Sequence, residues 1–316
     1  MELFTLLENL LLFLMLMVPG YMMGRCKLLS EKAQADIGSI LMYIAMPFLV
    51  FEKLLETDLR ALDPVAPIIA VAVPLALSGC LLLAGRLLWP ASGDPRRWRV
   101  SRFCSFLHNC GFWGLPLAAA LFPATPEVTL YVSIANIVNT FLLLTVGTYV
   151  LSGDAGRISL KGLLLSPALI ALAAGCVCSL LGVNAYFPQL GEFAAKLAGL
   201  AAPLSMLSLG LITAKMPLKK IFSSPVLYAV CGVKLVLSPA LTMGALLALR
   251  ALGAAVPITL MDALFLVTAV SSAASSPALA AKYGLDEEHA AVLTVGTTLL
   301  CVVTMPVLYE VFSAFY

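Results

Sequence analysis

The chain has 316 residues, of which 61% are hydrophobic and 11% charged, with a formal net charge of +2 and a mean hydropathy of +1.02. Soluble domains carry about 25% charged residues, so this composition excludes a soluble core with a wetted surface and points to an all-α integral membrane protein. With so small a net charge, no basic tail and no charge block, nucleic acid is not expected as a partner; the lipid bilayer and a small solute are.

The first apolar stretch runs from about Phe4 to Met23. Glu2 and Glu8 stand where a signal peptide carries positive charge, and no small-residue cleavage site follows, so it reads as a retained first transmembrane helix. A span needs about 20 apolar residues. Ten candidates satisfy this, at about 4–23, 35–52, 64–88, 101–122, 127–151, 162–182, 190–213, 225–249, 256–281 and 288–312. Only Lys53, Arg60, Lys196 and Arg250 fall in even-numbered loops, and Lys234 falls inside the eighth span; the other Lys and Arg residues occupy odd-numbered loops. Positive loops stay cytoplasmic, so both termini are expected outside.

Two spans are interrupted. Asn109-Cys110-Gly111-Phe112-Trp113-Gly114-Leu115-Pro116 lies in the fourth and Ser271-Ser272-Ala273-Ala274-Ser275-Ser276-Pro277 in the ninth. A broken backbone at membrane depth survives where protein buries it or where it lines a wet cavity. The chain also reads as duplicated: Leu115 to Phe122 aligns with Ser276 to Tyr283, and Ala45-Met46-Pro47 with Ala202-Pro203-Leu204. Five spans per half is an odd number, so the halves, residues 1–155 and 156–316, are expected to be inverted relative to each other, with broken helices 4 and 9 crossing at the midplane. That is the plan of secondary carriers.

The string Asn109-x-Gly111-Phe112-x-Gly114-x-Pro116, the segment Ser276 to Gly284 leading to Thr304-Met305-Pro306, and Pro203 in the seventh span together resemble the auxin efflux carrier family. These are the bacterial relatives of the plant PIN proteins, and they share a fold with bile acid/sodium symporters. The resemblance covers essentially the whole length. It implies a scaffold from spans 1, 2, 6 and 7, a transport bundle from spans 3–5 and 8–10, and substrate beside the crossing. It also implies malate, malonate or similar carboxylates, or auxin-like acids, carried across a bacterial inner membrane, and leaves open homodimerisation through the scaffold. The loop from Ser152 to Lys161 is short, unlike the long cytoplasmic loop of many plant members.

The residues themselves favour an anion. Serine suits an N-cap and proline the first helical position, so Ser276-Pro277 reads as a helix start within the membrane, and Gly114-Leu115-Pro116 as a weaker one. Each start presents unpaired N–H groups and a positive dipole end to solute. Asn109 adds amide donors, and Ser271, Ser272, Ser275 and Ser276 add hydroxyls that bind substrate or satisfy freed carbonyls. The candidate substrate residues are therefore Asn109, Gly111, Pro116, Asn136, Asn139, Ser272, Ser275, Ser276, Pro277 and Lys234. The alternative is that the small and polar residues only seal kinks and allow close packing. Lys234 costs about 2.5–3.5 kcal/mol at the bilayer centre, unless its stem snorkels to the interface. Asn136 and Asn139 in span five, like Thr297 and Thr298 in span ten, line the crossing or bond across helices. His108 is expected to make one local hydrogen bond, and Asp36 and Asp262 to lie at the interface. No nucleophile–base pair, phosphate-binding loop or metal motif is present in the sequence, so neither an enzyme nor a cofactor is expected. Coupling to H+ or Na+ is left open. The competing readings are a bile-acid-type sodium symporter and a membrane anion sensor that does not transport.

Overall fold

The computed structural model describes residues 3–30, 32–91, 93–158 and 161–315; Glu2, used above in reading the N-terminus, lies outside them. The described residues are helical with no strand, as an apolar chain requires when each backbone group must be satisfied within the fold. Among the described residues, seven helices are long and apolar enough to cross a membrane: α1 (Leu3–Arg25), α2 (Ala33–Glu56), α3 (Val65–Leu88), α6 (Pro126–Ser152), α8 (Pro188–Ala214), α9 (Pro225–Ala251) and α12 (Glu287–Ser313). Between them lie α4 (Pro95–Phe106), α5 (Cys110–Leu121), α7 (Pro167–Leu180), α10 (Ile258–Ala269) and α11 (Ser276–Lys282).

Proline opens many of these helices. Pro95, Pro126, Pro167, Pro188 and Pro225 each sit in the first turn, where the missing N–H is an orphan anyway. Prolines farther along are accommodated differently. The π-helical turns Leu41–Ala45, Cys110–Gly114 and Gly232–Leu237 each end two residues before Pro47, Pro116 and Pro239. In each case the residue preceding the proline donates to a carbonyl five positions back: Met46 to Leu41, Leu115 to Cys110 and Ser238 to Val233. The widened turn relieves the clash and missing bond that proline imposes on a regular α-turn.

Two groups of helices emerge from the packing. In one, α1 packs along α8, and α2 along α7 and α8. In the other, α3 packs on α4, α6 and α9, α10 on α6 and α9, and α12 on α4, α9 and α11. The α1–α8 crossing is backbone-close: a Cβ at Gly20 would overlap the Leu207 carbonyl, and one at Gly210 the Met17 carbonyl. Small residues at a crossing let membrane helices approach in this way. The groups meet where α1 and α8 touch α5, with Phe13 edge-on to Trp113 at 5.9 Å.

Candidate functional site: the crossing of two broken helices

The chain is extended at Leu107 (φ −88°, ψ 133°) after α4 and at Val270 (φ −77°, ψ 165°) after α10. The two extended pieces run antiparallel and touch as an isolated bridge between His108 and Ser272, with the Asn109 N–H donating to the Ser271 carbonyl at 2.9 Å. A fragment of sheet pairing thus joins two helices interrupted in the same place.

Side chains satisfy the backbone groups that the breaks release. Asn139 accepts from the His108 N–H at 3.1 Å and donates to the His108 carbonyl at 2.9 Å. On the opposite side, Thr297 Oγ1 accepts from the Ser272 N–H at 3.1 Å. Ser272 Oγ donates to the Cys104 carbonyl at 2.7 Å and Ser276 Oγ to the Ala273 carbonyl at 2.5 Å. Asn139 on α6 and Thr297 on α12 hence play matching parts at the two breaks.

Beside the crossing is a cavity of about 190 Å3. Its walls are Met42 and Met46 of α2, His108, Asn109, Gly111 and Phe112 at one break, Ala273 to Ser275 at the other, Asn136, Asn139, Thr140 and Leu143 of α6, and Ser166 to Ala168 at the start of α7. Among the described residues, no Asp, Glu, Lys or Arg lines it. The N-termini of α5 and α7 both reach its wall, and Ser166 Oγ caps α7 by accepting from the Leu169 N–H at 3.3 Å.

A family model described as membrane transport protein matches residues 5–162 and again residues 154–309, spanning both halves of the chain. The chain belongs to this family, and the resemblance to the auxin efflux carriers holds. A protein of Methanothermobacter thermautotrophicus described as an uncharacterized transporter is 24% identical over 304 residues, covering 95% of this chain and 96% of that one. The protein is a multi-pass membrane transporter.

In this transporter the sequence candidates divide into two sets. Asn109, Gly111, Asn136, Asn139 and Ser275 line the cavity; Pro116, Ser272, Ser276, Pro277 and Lys234 do not. Within the first set, Asn139 is committed to His108, whereas the Asn136 amide makes no protein hydrogen bond among the described residues and lies 3.6 Å from where a Cβ on Gly111 would be. The Asn109 amide is 3.5 Å from Ser271 Oγ. Ser272 and Ser276 satisfy carbonyls, the second of the two roles open to them.

Both expected helix starts need adjustment. On the second break, Ser275 rather than Ser276 is the N-cap, and it makes no side-chain cap bond. On the first, the helix begins at Cys110, not at Gly114-Leu115-Pro116, because the π turn carries the chain smoothly into Pro116, with the Trp113 and Gly114 N–H groups bonded to the Asn109 carbonyl.

Asp262 does not reach the surface of the protein: it is 4% exposed and accepts from Tyr309 Oη at 3.3 Å. Nor does Lys234 snorkel. It is fully buried in the π turn Gly232–Leu237, with no hydrogen-bond partner for Nζ among the described residues, and within electrostatic reach of Cys104, His108 and Cys110. His108 Nε2 shares a 3.0 Å hydrogen bond with Ser238 Oγ, one helical turn beyond Lys234, so α9 backs the crossing from behind.

Sequence reasoning missed Ser166-Pro167, Thr140, Met42 and Met46. Ser166-Pro167 carries the same cap signature as Ser276-Pro277, but the apolar run extends back to about residue 162 and masks the helix start. Nothing local distinguishes Thr140 or the two methionines from packing residues.

Proposed function

We propose that the protein is a secondary carrier of small organic anions, such as malate, malonate or auxin-like acids, working by alternating access. The observation that carries this reading is the cavity wall. Two helix N-termini, those of α5 and α7, reach it together with the Asn109 and Asn136 amides, and among the described residues no carboxylate lines it. Unpaired N–H groups and the positive dipole end attract anions, and a low-dielectric surrounding strengthens that attraction.

In this reading α4 with α5 and α10 with α11 each count as one broken span, and the resulting ten spans form two inverted repeats in a bacterial inner membrane with both termini outside. Helices α1, α2, α7 and α8 act as scaffold, and the remaining helices move as the transport bundle. The cavity lies between the two groups, so sliding one past the other would present it to either side. Lys234 stands behind the wall without an acceptor among the described residues, and a buried amine in that position needs a nearby anion to carry charge. A carboxylate in the cavity supplies one.

Thermal stability of the purified transporter against mono- and dicarboxylates, indole acids and bile acids tests this, with and without sodium and at two pH values. A ligand at 100 times its Kd adds about 2.7 kcal/mol. Stabilisation by one carboxylate class, with counterflow of that anion in proteoliposomes, is expected, and its sodium or pH dependence identifies the coupling ion. Stabilisation confined to neutral or cationic solutes overturns the anion reading, and strict sodium-dependent stabilisation by bile acids moves the protein to a symporter of that type.

A further inference from the structure

A second cavity, of about 440 Å3, lies away from the crossing between the end of α3, the first turns of α4 and the end of α6. Three guanidinium groups line it, from Arg86, Arg99 and Arg102, and none forms an ion pair among the described residues. The cluster is held in place by the fold. Arg102 Nε donates to the Trp89 carbonyl at 2.8 Å and Arg99 donates to the Leu151 carbonyl at 3.3 Å. Trp98 stands between them, 4.2 Å from the Arg102 guanidinium carbon and 5.4 Å from that of Arg99.

The arrangement is electrostatically incomplete. Arg86 and Arg102 repel each other, and two buried donors, Arg99 Nε and Trp98 Nε1, have no hydrogen-bond acceptor among the described residues. Three like charges around one cavity, with donors left over, call for an anion offering several acceptor oxygens. Guanidinium forks match phosphate in this way. The remaining wall points to where the phosphate comes from. Leu83 and Tyr149, which line the same cavity, are 60% and 47% exposed, so an apolar surface leads from the arginines to the outside of the helical bundle. In a transporter that outside is lipid.

We propose that this cavity binds the headgroup phosphate of an anionic phospholipid, with Arg86, Arg99 and Arg102 as its cationic cradle and Leu83 and Tyr149 against the acyl chains. Basic pockets between membrane helices recognise lipid headgroups by this chemistry. The lipid bridges α3, α4 and α6, and α4 leads directly into the break at His108, so headgroup occupancy steadies one arm of the crossing. The inference rests on the chain being a membrane transporter and is independent of the substrate anion.

The test compares the melting temperature of the transporter in nanodiscs of phosphatidylcholine with that in discs in which half the lipid is phosphatidylglycerol of the same acyl chains. A higher melting temperature in the phosphatidylglycerol discs is expected, with at least half of the increment lost in Arg86→Gln. Arg86 makes no hydrogen bond among the described residues, so this variant keeps the wild-type fold and melting temperature in pure phosphatidylcholine. Arg102→Gln is expected to lose more of the increment. Equal melting temperatures in the two lipids, or an increment unchanged in Arg86→Gln, overturns the proposal. Inorganic phosphate or glycerol phosphate reproducing the full increment in pure phosphatidylcholine discs assigns the cradle to a soluble phosphate and overturns the lipid source.

Discussion

Asn139 holds both backbone groups of His108, accepting from the N–H at 3.1 Å and donating to the carbonyl at 2.9 Å. One side-chain amide thereby replaces the pairing that a continuous helix would have given that residue. Removing it leaves two backbone groups unpaired at about 1–3 kcal/mol each. Asn139→Ala is expected to lower the stability of the unliganded transporter by about 2–6 kcal/mol, read as a drop in melting temperature. An unliganded protein of unchanged stability would show that Asn139 is a ligand residue alone.

Asn136, three residues earlier on the same helix, is expected to behave in the opposite way. Its amide lines the cavity with no bond to lose, so Asn136→Ala should leave the unliganded melting temperature within about a degree of wild type. Hydrogen bonds to charged groups are worth about 1.5–3 kcal/mol, so affinity for the carboxylate should fall about tenfold or more. Titration calorimetry with the stabilising anion decides it.

The α1–α8 crossing sets a steric limit that glycine alone meets. Gly210→Ala drives a methyl group into the Met17 carbonyl and is expected to cost about 1–3 kcal/mol as the helices separate. Gly244→Ala on α9 is the control, since nothing lies within 4 Å of the added carbon; there the better helix former should be neutral or stabilising by up to about 1 kcal/mol. Thermal melts of the two variants side by side test the pair.

Asp286 caps α12, with Oδ1 accepting from the His289 N–H at 2.8 Å and Oδ2 paired to Arg97 Nε at 2.9 Å. Partial burial opposes its charge, but the His289 N–H and the Arg97 guanidinium outweigh it and hold the carboxyl below the ordinary range for Asp. A carboxyl with a depressed folded pKa adds stability that is fully present above its unfolded pKa and is lost as pH falls through the folded value. Asp286→Asn keeps a capping side chain but cannot carry the charge, so it should lower the stability at neutral pH and flatten the acid limb of the stability–pH curve by the same amount, leaving the value at low pH little changed. An acid limb identical to wild type would remove Asp286 as its source.

Much of the architecture was legible in the chain because it is local. The apolar runs required helices, prolines at first-turn positions marked where helices begin, and the polar strings in the fourth and ninth spans marked where they break. The second string covers the break at Val270 to Ser275, whereas the first meets the break at Leu107 to Asn109 only at Asn109 and otherwise lies in the helix that follows. The exact start of α5 was not legible. Whether Pro116 opens a helix or follows a widened turn depends on hydrogen bonds from Trp113, Gly114 and Leu115 that composition does not encode.

The sequence by itself determined the class of the protein, the spans that carry its two backbone breaks and the family, since hydropathy, proline and short motifs act over a few residues. Only the tertiary structure decided which polar residues face solute. Asn139 and Asn136 are one helical turn apart and chemically identical, yet His108, brought in from the break between α4 and α5, occupies the first and leaves the second on the cavity. Ser272 and Ser276 are likewise spent on carbonyls that their neighbours expose, and Lys234 is buried because α9 packs behind the crossing. Such pairings join segments far apart in the chain, and a hydrogen bond between them exists only once the helices that carry them have packed.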